Sequence, residues 1–163
     1  MRRLGRSRVT AEDSRNPARV RASAVGLLAR RDFASGGLRR KLTNQGYAED
    51  LVTAAIEELV AAGVLNDARY AENYVSYHAE RGEGPLRIEA ELKELGLTPE
   101  LIQAALDAGP DWKLRAREVR TRRFGPEVPE SWPQKAKQGR FLQYRGFSAD
   151  QIRSALGPDF DLD

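Results

Sequence analysis

The chain has no cysteine, one histidine, one methionine and two tryptophans in 163 residues. Without thiols there is neither a disulfide framework nor cysteine chemistry. The lone histidine, His78, has no second histidine or cysteine to complete a catalytic dyad or a zinc site. No apolar run approaches the ~20 residues that a bilayer-spanning helix needs. Residues 1–16 carry five arginines but no apolar segment follows them, so they do not read as a secretory signal. They are expected to form a disordered basic arm, and the protein is expected in the cytoplasm. Alternating apolar and β-branched stretches long enough for a strand are also missing. An all-α chain follows, with helix content far above the usual ~30–35%.

What the chain does have is a repeat. Gly46, Gly96 and Gly146 lie fifty residues apart, each inside a copy of one phrase: Leu42 to Tyr47, Leu92 to Leu97, and Leu142 to Phe147. The echo continues through Val52, Ala55 and Ile56, then Ile102, Ala105 and Leu106, then Ile152, Ala155 and Leu156. Self-similarity at this period marks a helical repeat array, an architecture that favours gripping a partner over pocket chemistry. Each phrase spells a helix stop: a glycine just past the helix takes the left-handed conformation, and the apolar residue after it packs back on the leucine. The next helix then starts. Thr98-Pro99 supplies an N-cap and a first-turn proline, and Ser148 with Gln151 has capping-box spacing. Ala48 gives the first copy no such cap.

A further helix precedes each phrase, and Asn66-Asp67 is placed to cap the second of these. The third copy is offset by forty-four residues and recovers the fifty-residue register through an insertion within 125–132. Three tandem three-helix repeats result: 17–65, 66–110 and 111–157, with the arm 1–16 before them and an acidic tail, 158–163, after them. Each repeat is too small to hold a large core alone.

The overall charge of +3 hides a striped distribution. The first repeat is mildly basic, residues 66–110 carry a net −5, and residues 111–145 a net +6. That asymmetry favours an elongated, charged partner. Candidates for chemistry are few. His78 lies in an aromatic helical stretch and reads as a half-buried, satisfied side chain. Gly82-Glu83-Gly84-Pro85 lacks the strand and the Lys-Ser/Thr of a phosphate loop and reads as a helix joint. The surface carboxylates read as i,i+4 partners, such as Glu89 with Lys93. An enzyme is not expected, and no cofactor or metal is called for.

The basic clusters remain. Spacings of three and four would align Lys113, Arg117, Arg120 and Arg123 on one helical face, with Arg115 and Arg122 beside it. Lys135, Lys137, Arg140 and Arg145 follow on the next helix, and Arg39, Arg40 and Lys41 mark the first repeat. Clusters of one sign at this density suit phosphates or an acidic protein surface. With Arg81 and Arg87 of the middle repeat, these are the candidate contact residues.

Assembled, the residues resemble the RecX family, regulators of the bacterial RecA recombinase. The likeness runs from about Pro17 to Leu156. Its most specific stretch is Gly63 to Ala71, then Tyr74-Val75, then Arg81 to Pro85 with Ile88, Leu92 and Gly96-Leu97. Leu27 to Asp32 with Leu38, Lys41-Leu42 and Gly46-Tyr47 matches the family's opening. Arg122 to Gly125, Arg140 to Leu142 and Arg145 to Phe147 match its close. The resemblance implies an elongated, curved molecule that binds as a monomer in the groove of the RecA filament on single-stranded DNA. It implies inhibition of RecA ATP hydrolysis, strand exchange and co-protease activity, with consequences for recombination, DNA repair and the SOS response. Direct nucleic-acid contact is also implied. The chain departs from the family at Gly36-Gly37, which weaken a helix start by about 1 kcal/mol per interior glycine, and at Glu80 and Glu83, where relatives often carry Arg or Lys. Any phosphate contact is therefore expected from the first and third repeats. An autonomous helical DNA-binding protein is the alternative, and a plain helical adaptor a third reading.

Overall fold

The computed structural model describes residues 8–160. Among them are nine α-helices and no strand, in three tandem three-helix repeats. The helices are α1 (Pro17–Leu28), α2 (Ser35–Gln45), α3 (Glu49–Ala61), α4 (Asp67–Glu80), α5 (Pro85–Glu94), α6 (Pro99–Asp107), α7 (Trp112–Phe124), α8 (Trp132–Arg145) and α9 (Ala149–Leu156). The chain divides into two compact units, residues 1–70 and 71–163.

In the first unit α1, α2 and α3 pack against one another. Their shared core is Val20, Ala24, Phe33, Leu38, Leu42, Val52, Ala55, Ile56, Leu59 and Leu65. The helix stop forms as its sequence dictates. Gly46 has φ +106°, its N–H donates to Thr43, and the Tyr47 N–H reaches back to the Leu42 carbonyl. The weak start of α2 is repaired from a distance. Its N-cap, Ala34, has no hydrogen-bonding side chain, but the Asp67 carboxylate accepts from the Ser35 N–H at 2.7 Å and the Ser35 hydroxyl at 2.6 Å. Asn66 caps α4 by accepting from the Arg69 N–H, which leaves Asp67 free for α2.

The basic arm needs correction where it is described. Residues 8–16 are not a free arm. The Val9 N–H donates to the Gln45 carbonyl, the Ala48 N–H donates to that of Ser14, Asp13–Arg15 form one 3₁₀ turn, and Arg15 pairs with Asp50. Residues 1–7 lie outside the described residues.

In the second unit Ala71, Val75, Ile88, Leu92, Leu97, Ile102, Ala105 and Leu106 are buried in the middle repeat. In the third repeat α7 and α8 pack on α9 around Ala116, Leu142, Phe147, Ile152, Ala155 and Leu156. Thr98 caps α6, and Ser148 and Gln151 make the full capping box on α9. The tail is also more than an acidic end. Phe160 is 1% exposed and the edge of its ring packs against Gly139, where no Cβ would fit. Residues 161–163 are outside the described set.

Within this unit the joint before α5 docks on the end of α8. The Gly84 and Leu86 N–H groups donate to the Arg145 and Gly146 carbonyls at 2.7 and 2.9 Å. Unpaired amides at one helix start thus meet unpaired carbonyls at another helix end, with the helix dipoles aligned favourably. A Cβ on Gly84 would overlap the Gly146 carbonyl, and one on Gly146 would overlap Arg87.

Candidate functional site

The cations expected along one face of α7 do not form a free face. Arg120 is 3% exposed and is removed from the set of contact residues. Its guanidinium donates to the carbonyls of Glu127 at 3.0 Å and Pro126 at 3.3 Å, with longer contacts to the Gly125 carbonyl, Gln138 Oε1 and Thr121 Oγ1. Burial holds the guanidinium below the usual arginine pKa, yet it stays charged. Its job is local: it satisfies the carbonyls of the segment inserted between α7 and α8. Lys113 reaches Asp150 at 3.6 Å, and Arg117 donates twice to Ser154 Oγ at 3.2 and 3.0 Å. That side of α7 is turned along α9. Arg115 pairs with Glu118 at 3.1 Å.

What faces outward is the end of α7 and one stripe of α8. Arg122, Arg123, Lys137 and Arg140 are exposed, and Lys135 is half-buried. None of these five forms an ion pair among the described residues. Arg123 and Arg145 flank the Phe141 ring, at 5.9 and 5.3 Å from its centroid, so cation–π contacts draw the ends of α7 and α8 to one surface. Lys137, Arg140 and Tyr144 follow at spacings of three and four, which align them on one helical face. Tyr144 is 86% exposed. Sequence reasoning passed over this tyrosine. Its signal was the stretch 131–149, which has four cations and no carboxylate.

The remaining candidates are spread out. In the first unit Arg39 donates to Thr53 Oγ1 at 2.7 Å, Arg40 is exposed, and Lys41 lines a cleft. In the second unit Arg81 stacks over Tyr77 at 4.3 Å. Arg87 is engaged by carboxylates, at 3.2 Å from Glu91 and 3.7 Å from Glu83, and these contacts raise its pKa.

His78 sits in the same network, half-buried as expected. Its Nδ1 is 2.8 Å from Glu83 Oε2, and its ring stacks on Tyr74 at 4.0 Å. The Tyr74 hydroxyl donates to Glu91 Oε2 at 2.6 Å. Burial opposes ionisation of Glu91, but the bonds from Tyr74 and Arg87 outweigh it and hold the pKa below the ordinary carboxylate value. His78, Glu83 and Glu91 bring ligand atoms within 4.8 Å of one another, a grouping that needs no second histidine or cysteine. Arg87 already supplies the positive charge there, and the cluster serves to tie the joint of α4 and α5 together. No helix among the described residues is long and apolar enough to cross a membrane.

Comparison with known proteins agrees with this architecture, repeat by repeat. The RecX first, second and third three-helix domains match residues 21–59, 66–106 and 115–156. The regulatory protein RecX of Ectopseudomonas mendocina (strain ymp) is 42% identical over 142 residues, covering 86% of this chain and 95% of the relative. That of Halorhodospira halophila is 43% identical over 137 residues, covering 83% and 85%. Among solved structures, RecX from Lactobacillus salivarius superposes with a TM-score of 0.75 at 22% identity, covering 90% of this chain and 96% of that one, and so supports the fold. Family models over all three repeats and relatives above 40% identity place the chain in one group: it belongs to the RecX family.

Proposed function

We propose that this protein is a non-catalytic regulator that binds the RecA filament on single-stranded DNA and inhibits RecA's ATPase, recombinase and co-protease activities. Family membership supports a regulatory role in the RecA context, since the curated relatives are named regulatory proteins. One observation on this chain carries the contact: Lys137, Arg140 and Tyr144 form an outward stripe of α8, with Arg122 and Arg123 on the neighbouring end of α7. Cations without carboxylate partners match a phosphate backbone, and an uncovered aromatic ring beside them matches an unstacked base. The middle repeat, whose Arg87 is neutralised by its own glutamates, contributes shape in preference to charge.

The test is RecA ATP hydrolysis on single-stranded DNA with increasing amounts of the protein. Inhibition is expected, and replacing Arg122, Arg123 and Arg140 together by glutamate should shift the inhibitory concentration at least tenfold. An unchanged curve for that variant would remove the charge-docking part, and no inhibition by the parent chain would remove the whole reading.

The exposed Tyr144 also favours a second reading, direct DNA binding without RecA. About five phosphate contacts to a single strand would give a log–log salt slope of about −3.5. A shallow slope on bare DNA, beside tight binding to assembled filaments, would remove it.

A further inference from the structure

The first unit contains a cleft of about 660 Å³, within the size range of small-ligand sites. It lies between one face of α1 and one face of α2. On α1 and just beyond, Leu27, Arg30 and Arg31 repeat at spacings of three and four. On α2, Lys41, Asn44 and Gln45 do the same. The segment Arg8-Val9 also lines it, held by the Val9 N–H on the Gln45 carbonyl.

The lining charges are all of one sign. Arg8, Arg30, Arg31 and Lys41 line the cleft and no carboxylate does. Five of this unit's carboxylates have partners elsewhere: Asp13 pairs with Arg19, Asp50 with Arg15, Glu58 with Arg21, Asp67 caps α2, and Asp32 accepts from the Phe33 N–H. Four cations along one cleft, with no lining carboxylate, favour an anion there. The rest of the lining mixes the polar Ser23, Asn44 and Gln45 with apolar and aromatic side chains. Leu27 and the half-buried Tyr47 ring contribute to the apolar part, and Arg31 lies over the Phe33 ring at 4.0 Å. Asn44 adds an amide able to meet the edge of a base, and Gln45, whose Oε1 accepts from the Ser23 hydroxyl at 2.9 Å, adds its amide N–H groups. A bare phosphate would need only the cations. A ligand using the whole cleft carries a phosphate and a planar ring.

We propose that this cleft binds a nucleotide, with phosphate at Arg30 and Lys41 and the ring against Leu27 and Tyr47. The same chemistry has two sources, a free nucleotide or one residue of a single strand. The site is independent of RecA and of the α8 stripe.

The test follows backbone amide signals of the full chain by NMR while ADP, an oligo-dT strand or inorganic pyrophosphate is added. Amides at 27–31 and 41–47 should shift with ADP, with the strand, or with both. ADP alone marks a free-nucleotide site, and the strand alone marks a strand site. Pyrophosphate should bind at least tenfold more weakly. Reversing Arg30 and Lys41 together to glutamate should weaken binding by at least about tenfold, the loss expected for a charged hydrogen bond. Tyr47→Leu is a second variant that keeps the fold, because Leu97 fills the same place in the second repeat. It should remove the preference for nucleotide over pyrophosphate. The proposal is overturned if neither nucleotide source shifts these amides, if pyrophosphate binds as tightly, or if the charge reversal changes nothing. No RecA is present in the assay, so these outcomes are separate from success or failure of the inhibition reading.

Discussion

Changing Gly146 to alanine should destabilise the protein several times more than the same change at Gly96, although the two glycines occupy the same place in the repeated phrase. Both have positive φ, +98° and +84°. An alanine in that conformation costs about 1 kcal/mol in either copy. At Gly96 nothing lies within 4 Å of the new Cβ, so the cost stops there. At Gly146 the Cβ would overlap the Arg87 Cβ and lie 2.7 Å from the Arg87 backbone nitrogen. Backbone cannot swing aside, so the start of α5 must back away from the end of α8. The Gly84-to-Arg145 and Leu86-to-Gly146 hydrogen bonds then lengthen or break, at about 1 kcal/mol each. Gly146→Ala should therefore cost about 3 kcal/mol. Gly84→Ala supplies the complementary case. Its φ of −88° is ordinary, so its penalty comes from the overlap with Gly146 and the loss of the same two bonds. Urea denaturation followed by circular dichroism reads the difference. At a slope of about 2 kcal/mol/M, the midpoint should fall by about 0.5 M for Gly96→Ala and about 1.5 M for Gly146→Ala. Equal shifts for the two alanines would refute the docking of α5 on α8 as a source of stability.

Arg120→Ala should cost about 3 kcal/mol in the same assay, because it empties the site of a buried side chain and removes the guanidinium that bonds the carbonyls of Gly125, Pro126 and Glu127, and lysine should fail to rescue it. Tyr144→Ala should leave stability unchanged while weakening single-strand or filament affinity by about tenfold, from the ~1–3 kcal/mol of a base–aromatic stack; fluorescence anisotropy measures it. Phe160→Ala should cost about 3 kcal/mol by uncovering Gly139 and the α8–α9 core, so thermal melting will detect it if the tail is structural. Glu91 has a folded pKa below its ordinary 4.5, so its contribution is present above that value and lost as pH falls through the lower folded value. Glu91→Gln should accordingly lose less stability than the parent chain between about pH 5 and 3, measured by melts across that range.

The parts of this fold that could be read from sequence are those governed by neighbours along the chain. Leu42, Gly46 and Tyr47 fix a helix stop within six residues, and so do Ser148 and Gln151 fix a helix start; no distant contact is needed for either. The charged face of α7 was misread because spacing alone does not say which side of a helix is covered. A partial signal existed. Trp112, Ala116 and Arg120 lie at i, i+4 and i+8, so one arginine of the series shares a stripe with core residues. The six-residue insertion that follows supplies carbonyls in need of a donor. Charge counting gave Arg120 the same weight as Arg122, whereas burial makes one a structural tie and leaves the other for a partner.

The same distinction applies to the repeated glycine. Period fifty identifies a backbone conformation common to all three copies, and that much is local. What stands over each glycine is not: Val9 of the arm over Gly46, open space over Gly96, the start of α5 over Gly146. Repeat proteins diverge by changing what leans on a common scaffold, and a motif can require glycine for its φ in one copy and for both φ and space in another. Alanine at Gly46 should fall between the other two, because Val9 meets the new Cβ at 3.8 Å, an ordinary contact, and nothing must move. A ranking of Gly146 worst, with Gly46 and Gly96 close together, would trace the difference to the α5–α8 junction. A uniform penalty would mean that the left-handed conformation alone sets the cost and that the junction yields.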